Sequence, residues 1–382
     1  MRRQLLPSVF RMILVAAIAI GGARGADPPS QPVVVPLHET EGHPSIDLRL
    51  DGKGPFRLLL DTGSGAGLIV DRELAAELGL RSTGTRRIGD PNSPEAIEAQ
   101  SVTVPRVELG GLTLKNVEAI SWKREARLAA DGPRGVVGLG LFGSRLVTLD
   151  RGTLVVEAGA LPPADGTSVL AASFQEGIPS LTISVAGVAF RAHLDSGSTG
   201  FIGLPLAAAE KLPLEAPPVR VGRARTASGD YSVSEARLRG SVRLGGIVID
   251  RPKLRFVDLP VANIGFDLLR SLVVTIDRKH ARVRLASTGA PIEPSDRPRL
   301  GIMIEGSKDG RLPIESVAPG SPAEAAGLRA GDQIARLNGR TVAELSRYEI
   351  SVALQTRPLA ITLLRDGETI DLTIGEAPAR TP

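Results

Sequence analysis

The chain has 382 residues, 42% of them hydrophobic, which is enough material for two or three domains with sizeable cores and excludes a disordered chain. It contains no cysteine, so disulfide scaffolding, thiolate chemistry and sulfur-ligated metals are excluded. The formal charge of +4 arises in residues 1–25, which hold four of the 46 Lys and Arg and none of the 42 Asp and Glu. The remainder balances to zero, and with no aromatic-interleaved basic patch nucleic acid is not an expected partner.

In chain order, `MRRQLLPSVFRMILVAAIAIGGARGADPP` begins basic, turns apolar from Met12 to Ile20, and ends in small residues at Ala23 and Gly25. That order predicts a secretory signal over residues 1–25, with an apolar stretch shorter than the roughly 20 residues of a spanning helix. The expected location is therefore outside the cytoplasm, periplasmic or secreted. A membrane association is expected only if the segment is retained as an anchor.

Beyond it the apolar runs are short and often alternating or β-branched: `VVVPL`, `IDLRL`, `VTVPRVEL`, `LTISV`, `VRLGGIVI`, `RVRLA`. Bounded by turn residues, they predict a mainly β architecture with few helices. Short helices are expected in `DRELAAELG` at 71–79 and `PLAAAEKL` at 205–212.

A long internal repeat organises these runs. `PFRLLLDTGSGAGLIV` at 55–70 and `AFRAHLDSGSTGFIGL` at 189–204 share Phe-Arg, Leu, Asp, a hydroxyl residue, Gly and Ser in register, 134 residues apart. `LGG` at 109–111 returns at 244–246, and `VTLDR` at 147–151 returns as `VTIDR` at 274–278, spacings of 135 and 127. Spacings so nearly constant indicate a duplicated domain, with an insertion in the first copy around `WKREARLAADGP`. Two copies suggest a pseudo-two-fold pair.

One Asp-Thr-Gly is weak evidence, because Asp and Gly are ordinary turn formers. Two copies related by a two-fold axis can bring Asp61 and Asp195 together. Carboxylates in hydrogen-bond range cannot both ionise cheaply and share a proton, so one serves as base toward a water and the other as acid toward the developing oxyanion or leaving amine. Gly63 and Gly197 let the backbone turn sharply and approach the carboxylates. Thr62 and Ser196 are expected to hydrogen-bond across the axis, and Ser64 and Ser198 to hold the outer carboxylate oxygens.

With `LLLDTGS` and `AHLDSGS` as its signature, the chain resembles the aspartic proteases of the pepsin and retroviral type. `VVG` at 136–138 and `NIG` at 263–265 match the apolar-apolar-Gly segment that packs behind each aspartate loop in that family, although Asn263 replaces an apolar residue. The resemblance implies a mainly β, bilobal fold, lobe 1 at 32–160 and lobe 2 at 161–287, with a cleft and a flap hairpin. Tyr231 in `TASGDYSVS` reads as a surface turn residue more readily than as part of that flap. The few aromatics also depart from the family's usual cleft lining.

Other motifs carry less. `GLGLFG` at 138–143 spells a dinucleotide pattern, but its repeat partner `GFDLLR` does not and no βαβ context surrounds it. His38 and His43 in `HETEGH` stand five apart, off one helix face, so neither a metal nor any other cofactor is expected. No Gly-x-Ser-x-Gly elbow occurs. His193 falls on the same strand side as Asp195 and reads as a packed histidine. Asp150 and Asp277 read as hairpin-turn acids with local ion pairs.

`TGAPIEPSDRPR` predicts a linker at 288–297. `RLGIMIEG` and `LPIESVAPGSPAEAAGLRAGDQIARLNGRTV` that follow resemble a PDZ domain, in the arrangement of bacterial exported proteases, over 298–377 with a tail at 378–382. `SPAEAAGL` is a Ser-capped helical turn closed by Gly327, and `AGDQIARLNGR` a strand left through Asn-Gly. The resemblance implies capture of an extended peptide tail by strand addition, with Leu300, Gly301 and Ile302 as the carboxylate loop. The expected protein is a monomeric exported aspartic endopeptidase acting on peptide or protein substrates. The alternative is an inactive protease-like scaffold that binds peptides through its PDZ module.

Overall fold

In the computed structural model, residues 31–375 are described, except 41, 89–96, 124–131, 227–228, 290–291, 293–299, 305–308, 318–319 and 346. The expected signal segment, the tail, most of the linker and the centre of the lobe 1 insertion lie outside the described residues. Among the described residues no helix is long and apolar enough to cross a membrane.

Alternation decides the strands. In His43–Leu50, Ile46, Leu48 and Leu50 are fully buried while Asp47 and Arg49 turn outward, the period-2 pattern of a half-buried strand. The first lobe's sheet has eight strands, with a central order of His43–Leu50, Lys53–Leu60, Gly135–Val137, Leu68–Asp71, Leu112–Trp122, Ile97–Leu109 and Ser82–Ile88. The second lobe repeats it as Ile178–Val185, Val188–Asp195, Ala262–Gly265, Ile202–Pro205, Lys253–Val257, Gly229–Arg237 and Val219–Thr226. The architecture is the bilobal β fold that the resemblance implies.

A six-stranded sheet joins the lobes, three strands from each: Val33–Pro36, Thr153–Glu157 and Leu146–Asp150, then Leu272–Asp277, Arg282–Ser287 and Val169–Ala171. At its centre the two `VTxDR` segments pair antiparallel, Thr148 opposite Thr275, with their hydroxyls 3.0 Å apart. The third repeat landmark is therefore the pseudo-two-fold axis itself. Apolar side chains of both lobes merge into one core, whereas Leu300, Leu312, Ile314, Leu359 and Leu363 anchor a separate core in the C-terminal unit.

Of the two expected helices, Arg72–Glu77 is α-helical and N-capped by Asp71, whose carboxylate accepts from the Leu74 N–H and is paired with Arg134 at 2.8 Å. The other, Leu206–Lys211, is a 3-10 turn entered from Pro205 with no side-chain cap. The C-terminal helical turn Pro322–Ala325 is capped by Ser321, with Gly327 at a φ of 83° beyond it.

Asp150 carries the local ion pair expected of it, to Arg151 at 3.0 Å. Asp277 differs. Its carboxylate is fully buried and accepts from the Leu161 N–H (2.9 Å), the His280 N–H (3.0 Å) and the His280 ring, so its partner is not the adjacent Arg278. Burial alone would raise its pKa, but these donors together hold it below the ordinary carboxylate value. Asp277→Ala leaves the buried Leu161 N–H without an acceptor and should lower unfolding stability by about 1–3 kcal/mol, read from denaturant melts.

Candidate active site

Each aspartate sits where a strand ends against a parallel neighbour. Lys53–Leu60 runs parallel to Gly135–Val137, which in turn pairs antiparallel with Leu68–Asp71, so the loop from Asp61 to Gly67 is pinned between them. The Asp61 N–H donates to the Val137 carbonyl at 2.8 Å. Behind the loops stand Gly138 and Gly265. A methyl group at either would lie 2.1 or 2.2 Å from the Ala66 or Gly200 carbonyl, so only glycine fits there.

The loops interlock across the axis. The Thr62 hydroxyl donates to the Leu194 carbonyl (2.7 Å) and accepts from the Ser196 N–H (2.9 Å). Ser196 reciprocates, its hydroxyl donating to the Leu60 carbonyl (2.7 Å) and accepting from the Thr62 N–H (2.9 Å). Both residues are buried. The cross-axis role expected of this pair is what the geometry shows.

This grip brings Asp61 and Asp195 into a shared side-chain hydrogen bond. The close approach excludes side chains around them: a methyl group on Gly63 would stand 2.5 Å from Asp195 Oδ1, and one on Gly197 2.4 Å from Asp61 Cγ. The Gly63 N–H donates to Asp61 Oδ1 at 2.8 Å. Removal of the Asp61 carboxyl from water pushes its pKa well above the usual carboxylate value, followed by the charge of Asp195 and their mutual hydrogen bond.

Ser64 and Ser198 do not take the place expected of them. The Ser64 hydroxyl donates to the Ala66 carbonyl at 3.3 Å, and the Ser198 hydroxyl accepts from the Gly200 N–H at 3.3 Å. Each closes a tight turn two residues on in its own loop, the local bond that serine makes readily. The outer oxygen Oδ2 of Asp195 is instead held by the Asn263 side-chain amide at 2.8 Å.

Sequence reasoning missed a second neighbour. His43, the first residue of its strand, lies beside Gly197 and feels the charge of Asp195, with its buried Nδ1 unpartnered among the described residues. Burial holds its ring below the ordinary histidine value, and the same holds for His193. The available signal was a further echo, `GHPS` at 42–45 against `GIPS` at 177–180, which extends the duplication and places His43 where the other copy has Ile178. His38 turns elsewhere, its ring 3.5 Å from Asp47.

Each lobe also raises a hairpin at the equivalent position, Ser82–Ile88 with Ile97–Leu109 and Val219–Thr226 with Gly229–Arg237. Tyr231 lies on a strand of the second hairpin, opposite Ala224, and not on a surface turn. Both tips, 89–96 and 227–228, lie outside the described residues.

In the C-terminal unit, Ile302–Ile304 is the edge strand of a sheet that continues through Leu312–Val317, Gln333–Leu337, Leu359–Arg365 and Glu368–Ile374. Leu300 is buried and its carbonyl accepts from the Ala323 N–H at 2.9 Å. Gly301 has a φ of 83°, and a methyl group there would stand 2.2 Å from Ser321 Cβ. The Val219–Thr226 strand of lobe 2 runs beside this edge, with Arg220 3.9 Å from Glu315.

Residues 46–145 and 181–269 match the family model described as aspartyl protease, and residues 291–364 match that of the PDZ domain. The two lobes are thus aspartyl protease-like and the C-terminal unit is a PDZ domain. A search of the curated proteins finds no match.

The cross-axis grip generates its own test. Thr62→Val keeps the shape but leaves the buried Ser196 N–H without an acceptor, so stability should fall by about 1–3 kcal/mol in chemical denaturation.

Proposed function

We propose that the protein is an exported aspartic endopeptidase. The observation that carries this reading is the pair Asp61 and Asp195, joined by a hydrogen bond at the meeting point of two interlocked loops. The raised pKa of Asp61 supplies a carboxylic acid beside a carboxylate.

Catalysis then needs only these two groups and a water. The carboxylate takes a proton from the water as its oxygen attacks the peptide carbonyl carbon, while the carboxylic acid protonates the carbonyl oxygen. A neutral gem-diol results. On collapse the amide nitrogen receives a proton from the dyad, the C–N bond breaks, and the diol returns its proton, leaving the pair as it began. The glycines at 63 and 197 support this role because they permit carboxylates to approach backbone and each other without side-chain obstruction. The paired hairpins are the candidates for flaps that cover a bound chain.

The PDZ domain is proposed to capture the free C-terminal tail of a substrate or partner by adding it to the Ile302–Ile304 edge, with the backbone of Leu300, Gly301 and Ile302 receiving the carboxylate. Export is supported by the leader over residues 1–25, after whose removal a monomer suffices, since one chain supplies both aspartates.

Asp61→Asn and Asp195→Asn should each abolish cleavage of a denatured-protein substrate, a loss of at least about 1000-fold in kcat/KM, with the melting curve still cooperative. Unchanged turnover in both variants would sink the enzymatic reading and leave a binding scaffold. For the PDZ domain, Gly301→Val should weaken capture of a peptide with a free C-terminal carboxylate at least tenfold, measured by fluorescence anisotropy on the full chain. Amidation of that peptide should do the same.

A further inference from the structure

Among the polar residues by which the duplicated lobes differ beside the dyad, His43, His193 and Asn263, it is Asn263 whose side chain hydrogen-bonds an aspartate. Asn263 stands opposite His193, two residues before Asp195, and its lobe 1 counterpart is Val136, opposite Leu59 two residues before Asp61. The Asn263 Nδ2 donates to Asp195 Oδ2 at 2.8 Å, while its Oδ1 is buried with no partner among the described residues. A half-satisfied buried amide is unfavourable where valine serves the other lobe, and such an exception calls for a role. Among the described residues, Asp61 receives only the Gly63 and Gly197 backbone N–H groups besides its bond to Asp195.

We propose that Asn263 is a positioning residue that makes the dyad asymmetric, keeping Asp195 as the carboxylate that takes the proton from water and leaving the shared proton on Asp61. The inference rests on the reading of the two aspartates as a working pair. A neutral N–H donor stabilises an acceptor-only carboxylate more than a protonated carboxyl, so the amide favours the ionised form of the group it touches. Among the described residues, the titratable groups that face Asp195 from the packed elements are Asp61, His43 and His193. Burial disfavours the charged form of both imidazoles, and Arg191 disfavours it further at His193, so the Asn263 amide is the fixed donor on the outer oxygen.

The direction of the effect follows from which proton states the amide stabilises. It stabilises both the singly and the doubly ionised dyad, in each of which Asp195 is a carboxylate, but not the fully protonated one. Its removal therefore moves the acidic limb of kcat/KM and leaves the basic limb in place. Asn263→Val should shift the acidic limb upward by about one pH unit on one peptide substrate. A change of packing alone would lower the whole profile without moving either limb. The double variant Val136→Asn/Asn263→Val, which gives the donor to Asp61, should bring the acidic limb back down; an acidic limb unmoved by Asn263→Val overturns the proposal.

A second measurement does not depend on turnover. Asp61→Asn and Asp195→Asn each leave a single dyad carboxyl, which carboxyl-carbon NMR can titrate in the full chain. Asp195 in the first should ionise at lower pH than Asp61 in the second, and adding Asn263→Val to the first should raise its midpoint. Equal midpoints or the reverse order would overturn the assignment even if the protein cleaves peptides. If the wild type cleaves nothing while the order holds, the enzymatic reading fails and the asymmetry stands.

Discussion

Four hydrogen bonds made by Thr62 and Ser196, two to each other and one each to the Leu194 and Leu60 carbonyls, lock the two aspartate loops of this molecule together. Each hydroxyl reaches through the other lobe's aspartate loop, donating to the carbonyl just before the opposing aspartate and accepting from the N–H just after it. Because both residues are buried, these bonds act where water does not compete, and an unmade partner would be expensive. The strength of the arrangement lies in its mutuality. Neither loop can shift without leaving donors of the other unsatisfied.

The rest of the two-lobed body serves that meeting. The six-stranded sheet crosses the axis at Thr148 and Thr275 and fixes one lobe against the other. Within each lobe a glycine at or just past the end of a short parallel strand, Gly265 or Gly138, backs the loop so closely that no side chain fits. Two acids forced together in this way must resist mutual repulsion, and partial removal from water favours one of them protonated. The same enclosure that costs ionisation free energy raises the pKa of Asp61.

The PDZ domain has its own core and joins the body at an informative place. The edge of its sheet that would accept a peptide lies beside the lobe 2 hairpin, and Arg220 of that hairpin approaches Glu315 on the neighbouring PDZ strand. The PDZ edge strand and the lobe 2 hairpin are thus neighbours in space, although some 80 residues separate Arg220 from Ile302 in sequence.

Much of this was legible in the sequence because duplication prints itself linearly. The β-rich character, the two aspartate loops, the hydroxyls at 62 and 196 and the Ser321 cap all follow from residue type, period and spacing. Other features were not legible. The hydroxyls of Ser64 and Ser198 serve their own turns, a choice set by local dihedral angles and not by composition. Asn263 looked like a lapse from an apolar pattern, yet it faces Asp195, and His43 looked like part of a failed metal motif, yet it meets the opposite lobe. The sequence alone determined which groups exist and that they come in pairs, since local chemistry and repetition are properties of the chain. Only the tertiary structure decided which copy meets which neighbour, because contacts across a pseudo-two-fold axis join residues more than a hundred positions apart and differ wherever the two copies have diverged.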